Sequence, residues 1–110
     1  MIGYVYTITC PIHNKVIYVG ATLKPKRRMS QHLRGSNNSP VGEYEKGLAS
    51  MGMKVRFDVI RKCRDLNMNV IEKKMIRKYR KINPELLNSG GGGWRISLEE
   101  FEELKKRLSA

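Results

Sequence analysis

Apolar and polar residues divide the chain into short segments of two different periods. Residues Ile2 to Ile8 and Val16 to Ala21 are rich in Tyr, Val, Ile and Thr, and Pro11-Ile12-His13-Asn14-Lys15 lies between them. That is the composition of a β-hairpin. Side chains alternate along a strand, so Tyr4 and Tyr6 share one face while Val5 and Thr7 take the other, and Tyr18 and Gly20 share a face likewise. Two tyrosines can therefore meet on one side. Lys54 to Ile60 alternates as well, Val55, Phe57 and Val59 against Arg56 and Asp58, which predicts a half-buried third strand.

Between and after these strands the period changes to that of a helix. Pro25 suits a first turn, and the segment to about Leu33 sets Arg28 with His32, and Met29 with Leu33, four residues apart. Gly35-Ser36-Asn37-Asn38-Ser39-Pro40 reads as a loop, and Tyr44, Leu48 and Met51 predict a second helix closed by Gly52. From Leu66 to Arg80 the residues Met68, Ile71, Met75, Ile76 and Tyr79 recur at helical spacing, with Asn83-Pro84 as the stop. Gly90 to Gly93 predict a loop, and Ser97 with Glu100 forms a capping box ahead of Leu98, Phe101, Leu104 and Leu108. A short terminal helix over 95–110 is expected to pack on the one domain that 110 residues can build.

Charge changes the picture more than size does. Lys and Arg number 22 against 10 Asp and Glu, a formal net charge of +12. Such a field concentrates polyanions near the surface and speeds their encounter without specifying a sequence. Cys10 and Cys63 are isolated, with no zinc-like spacing, and are expected to pack in the core. No apolar run approaches the roughly 20 residues that span a bilayer, and the first eighteen residues lack a basic start before an apolar stretch. A cytosolic, nucleic-acid-associated setting is the expectation.

Tyr4-Val5-Tyr6, then Tyr18-Val19-Gly20, then Arg28 and His32 one helical turn apart together resemble the GIY-YIG nuclease family. The resemblance covers roughly residues 2–94, and several separated motifs in the right order are more specific than any one of them. It implies an α/β fold with a small central three-stranded antiparallel sheet flanked by helices, in agreement with the periodicity. It further implies a metal-dependent DNA endonuclease using Mg2+ or Mn2+ and leaving 5′-phosphate and 3′-hydroxyl ends. Carried over residue by residue, the site comprises Tyr6, Tyr18, Arg28, His32, Glu72 and Asn88, with Glu72 as the metal ligand. Lys24, Lys26, Arg27 and Lys73 stand beside these positions as candidate DNA contacts. There are two departures: Tyr4 stands where the family has glycine, and the loop before the second helix offers only Ser39, or Tyr44, for a further polar group.

Each residue has a plainer alternative. Glu72 borders the stripe of Met75, Ile76 and Tyr79, so its carboxylate should face the sheet and needs a partner, either a divalent cation or a salt bridge to Arg28. Arg28 suits a charged phosphorane, or is one more cation among Lys24, Lys26 and Arg27. Tyr6 or Tyr18 can activate water only if the phenol is deprotonated; otherwise both are packing residues. His32 can relay a proton or bond a tyrosine or phosphate, and Asn88 can bond phosphate or fix a turn. The competing function is a non-catalytic nucleic-acid-binding module, and a structural RNA-associated protein also suits the charge. Selectivity would be weak, or come from a second copy or a separate partner.

Overall fold

A computed structural model describes residues 1–34 and 39–88; the terminal helix expected over 95–110 and the glycine run lie outside the described residues. The hairpin forms as its composition predicts, β1 over Ile2–Cys10 and β2 over Lys15–Thr22. Asn14 closes the turn at φ 54, a left-handed conformation that Asn tolerates, and its N–H donates to Cys10 O at 2.9 Å.

The third strand, β3, covers Arg56–Arg64 and lies antiparallel on the other side of β1, giving the order β2-β1-β3. It runs four residues further than its alternation suggests. Arg61, Lys62 and Arg64 are exposed, and it is pairing with β1, not burial, that keeps them extended. A register shift between Val5 and Tyr6 also breaks the expected alternation, so Val59 is exposed although apolar.

Helices α1 (Pro25–Arg34) and α2 (Pro40–Ser50) cover one face of the sheet, and α3 (Met68–Ile82) covers the other. On the first face Ile8, Cys10 and Ile17 pack with Val41, Tyr44 and Leu48 of α2; on the second, Val5 and Val19 pack with Ile76. α2 starts earlier than its apolar stripe shows, because Ser39 is its N-cap, accepting from Gly42 N at 3.2 Å, and Pro40 occupies its first turn. Gly52, at φ 77, follows its end as expected. A 3-10 turn, Asp65–Asn67, precedes α3 and shifts its start to Met68. No helix among the described residues is long and apolar enough to cross a membrane.

The outer edge of β2 would expose a row of unpaired backbone groups were it not covered by the segment after α3. Leu87 N donates to Ile17 O at 2.6 Å, and Asn83 Nδ2 donates to Val16 O at 2.9 Å. The Asn88 amide completes the cover: Oδ1 accepts from Val19 N at 2.9 Å and Nδ2 donates to Val19 O at 2.5 Å. Leu86 enters the α3-side core and Leu87 the other, so this segment joins the two layers. Asn88→Ala would leave both Val19 groups unpaired in a buried place, and should lower stability by about 1–3 kcal/mol per orphaned group in chemical denaturation.

Candidate active site

The tyrosine-bearing face of the hairpin is the starting point. Tyr6 lies opposite Gly20, and Ile8 lies opposite Tyr18, which brings the two phenol rings to a centroid separation of 6.3 Å. Gly20 is what lets them approach. A Cβ there would collide with Cζ and the hydroxyl of Tyr6 and come within 2.9 Å of Tyr18 Cε1. Tyr6 cannot swing aside, because its ring stacks on Phe57 at 4.4 Å and its hydroxyl is bonded to His32. Gly20→Ala should therefore cost about 1–3 kcal/mol of stability by overpacking, read as a lower melting midpoint, and disorganise both phenols.

Helix α1 delivers two residues to this face from successive turns. His32 is 2 % exposed, and its Nε2 lies 2.9 Å from Tyr6 Oη. Its other ring nitrogen, Nδ1, lies 2.7 Å from Oε2 of Glu45 on α2, itself 3 % exposed. Burial pushes the Glu45 carboxyl upward from the ordinary range, and His32 opposes that shift. Glu45 was not legible in the sequence as a site residue. Its neighbour Tyr44 points instead to Cys10, 2.9 Å from Sγ, and Ser39 is spent on capping α2.

Arg28, one turn before His32, is half-buried in the wall of an open cleft that Thr22, Lys24, Arg27 and Gln31 also line. Lys26 and Lys73 are exposed but do not line it. No acidic residue sits in the first turn of α1, while Lys26, Arg27 and Arg28 follow Pro25 directly. Cations there oppose the helix dipole and weaken the helix, whereas an anion bound at the same end is stabilised by both.

Glu72 approaches from α3, half-buried, with its carboxylate hydrogen-bonded to the Ala21 backbone N–H on the outer edge of β2, beyond the residues that Asn88 covers. Burial raises its pKa, against the lowering influence of Lys73 and that N–H. Among the described residues it forms no ion pair with Arg28. The charges of Glu72 and Arg28 nevertheless both act on the two phenols. Burial drives Tyr6 and Tyr18 upward, Glu72 adds to the rise, and Arg28 counters it. A hydrogen bond shared with Tyr6 holds the rise of Tyr18 down.

Five of the six residues singled out in the sequence thus converge: Tyr6, Tyr18, Arg28, His32 and Glu72. Asn88 is 5 % exposed, with its amide engaged at both ends by Val19 in the cover over β2. One half-buried carboxylate, bonded to the backbone of Ala21 in the cleft wall, fits a hard divalent cation that takes its remaining ligands from water and phosphate. No group of three or more His, Cys, Asp or Glu side chains that would make a fuller cage occurs among the described residues.

Comparison with curated proteins and with solved structures gives no significant match. The family model described as the GIY-YIG catalytic domain, however, matches residues 2–86, which span both tyrosine motifs, α1 and Glu72. With that match over most of its length, and with the paired tyrosines and histidine gathered on one face of the sheet and the glutamate reaching the edge of β2 from α3, the chain belongs to the GIY-YIG nuclease family.

Proposed function

We propose that this domain is a metal-dependent DNA endonuclease in which Tyr18 activates the attacking water, Arg28 stabilises the phosphorane and Glu72 holds Mg2+ or Mn2+. The observation that carries the proposal is the cluster of rings. Tyr6, Tyr18 and His32 lie with centroids 5.4, 5.6 and 6.3 Å apart, and Arg28, one turn before His32, stands in the wall of a basic cleft. A purely binding surface has no need of a buried Tyr6-His32 contact or of a half-buried carboxylate.

The division of labour follows from exposure. Tyr6 is 2 % exposed, whereas Tyr18 is only half-buried and so can reach a water outside the core. Hydrogen-bonded to Tyr6 and with Arg28 nearby, Tyr18 is the phenol better placed to carry negative charge and accept a proton from water. The Arg28 guanidinium offers a planar fork of donors to the phosphate oxygens as charge builds on them. Lys24 and Arg27 extend the same cleft and hold the flanking backbone electrostatically, while exposed Lys26 and Lys73 add to the field. Glu72 would hold the divalent cation, which when bound would supply neutralising charge at the phosphate and offset the field of this carboxylate on Tyr18. The expected ends are 5′-phosphate and 3′-hydroxyl.

Duplex, mismatched, branched and single-stranded DNAs incubated with Mg2+ or Mn2+, with the ends mapped, test the reading. Cleavage of at least one of them is expected. DNA binding with no cleavage of any of them would overturn it in favour of a binding module, and preferential RNA binding without nicking would favour a structural role on RNA.

A further inference from the structure

The buried Glu45 has no part in the chemistry so far described, yet it is an odd residue to keep for packing alone. It is 3 % exposed, its Oε2 is 2.7 Å from His32 Nδ1, and its Oε1 meets no hydrogen-bond partner among the described residues. An unsatisfied buried carboxylate oxygen is costly, and such violations concentrate where function requires them. A neutral glutamine or an apolar residue of similar size would fill the same space beside Val41 and Leu48 at less cost.

We infer that Glu45 is a positioning residue that holds His32 with Nδ1–H toward α2 and Nε2 toward Tyr6, making Tyr18, Tyr6, His32 and Glu45 one proton relay. The inference rests on the nuclease reading above. In the resting state Nδ1–H donates to Glu45 Oε2, Tyr6 O–H donates to Nε2, and Tyr18 O–H donates to Tyr6. When Tyr18 gives its proton to the Tyr6 oxygen, Tyr6 gives its own to Nε2. The products are a Tyr18 phenolate, a neutral Tyr6 and a His32 imidazolium held against the Glu45 carboxylate. One proton has crossed two hydrogen bonds and no charge is lost or gained. Tyr6 never ionises, which suits its complete burial against Phe57.

The logic resembles that of the buried carboxylate behind the histidine of a hydrolytic triad, which fixes the tautomer and stabilises the imidazolium without taking the proton itself. Here the histidine serves a phenol, and the intervening Tyr6 allows both His32 and Glu45 to sit inside the domain. The T-shaped contact of Tyr6 with His32 at 5.4 Å, and the tilted contact of Tyr18 with His32 at 5.6 Å, show the three rings gathered around one point.

Two substitutions separate this role from packing. Glu45→Gln keeps the size and loses the charge; Glu45→Asp keeps the charge and loses a methylene. Single-turnover cleavage by Glu45→Gln is expected to be slower by about 10²-fold, the lower end of what general acid–base groups contribute, with DNA affinity unchanged. Glu45→Asp should recover part of that loss. A packing role predicts the opposite order, Gln near wild type and Asp impaired, and that result would overturn the inference. The ring 15N shifts of His32 in the wild-type protein supply a readout independent of activity. A protonated Nδ1 is expected, and a bare Nδ1 would overturn the assignment even if both variants failed to fold. Should the wild-type protein cleave no DNA, the nuclease reading fails by itself, and the nitrogen shifts still report whether Glu45 sets the tautomer.

Discussion

Replacing Arg28 with alanine is expected to abolish cleavage while leaving DNA binding almost intact. The arginine stands half-buried in the cleft wall, and its charge is felt at both phenols. Lys24 and Arg27 line the same cleft, and Lys26 stands exposed nearby, so the electrostatic attraction for the phosphate backbone survives the loss of one cation. What is lost is the stabilisation of charge that appears only as the phosphorane forms, together with the counterweight that keeps the Tyr18 phenol from rising further. A transition-state arginine in phosphoryl transfer is worth about 10³- to 10⁵-fold in rate, so single-turnover cleavage should drop by at least about 10³-fold. Filter binding without metal should show affinity altered only slightly. Arg28→Lys should not restore the rate, because an ammonium lacks the planar fork. Equal losses of affinity and rate would assign Arg28 to the general basic surface.

The second large effect separates the two tyrosines. Tyr18→Phe should reduce cleavage by about 10²- to 10⁴-fold, the range for a lost general base, with little change in melting midpoint. Tyr18 is only half-buried, and the Tyr6 hydroxyl that it bonds keeps its contact with His32 when Tyr18 loses its own. Tyr6→Phe should also slow cleavage, but with a stability cost of about 1–3 kcal/mol, because His32 Nε2 then loses its partner in a fully buried place. Denaturant titration beside the cleavage assay makes the distinction. Were Tyr18→Phe to cut at the wild-type rate while Tyr6→Phe did not, the base would be Tyr6 and the assigned roles would have to be exchanged.

Most of the fold was legible because its local signals are strong. Alternation set the hairpin faces, the period of Met68, Ile71, Met75 and Ile76 marked α3, and Tyr6, Tyr18, Arg28, His32 and Glu72 stood in recognisable order. The extension of β3 through Arg61, Lys62 and Arg64 was not, because their extended conformation comes from β1 and leaves no apolar period behind. Ser39 and Pro40 looked like the end of a loop, although the same two residues form an N-cap and first turn once α2 is in place.

The site was incomplete for a related reason. Glu45 lies thirteen residues from His32 on another helix, in a Glu-Tyr-Glu-Lys stretch that resembles a solvated face. Only the packing of α2 on the sheet reveals that this carboxylate points inward; the candidate that attracted attention, Tyr44, points to Cys10 instead. Asn88 shows the reverse. Its place before the glycine run suggested a phosphate contact or a turn, and tertiary structure engages both ends of its amide with the edge of β2.

Metal dependence in wild type and Glu72→Gln tests the account most directly. Supercoiled plasmid would be mixed with chelator-treated protein, and nicking followed as Mg2+ or Mn2+ is restored. The wild-type protein should be inactive without metal and should nick as it is added. Glu72→Gln should bind the plasmid and remain inactive at every metal concentration, while folding as well as wild type, since it removes a carboxylate whose pKa burial has already raised. Nicking by Glu72→Gln at the wild-type rate, or by the wild-type protein in excess chelator, would contradict the assignment of Glu72 as the metal ligand of a metal-dependent nuclease.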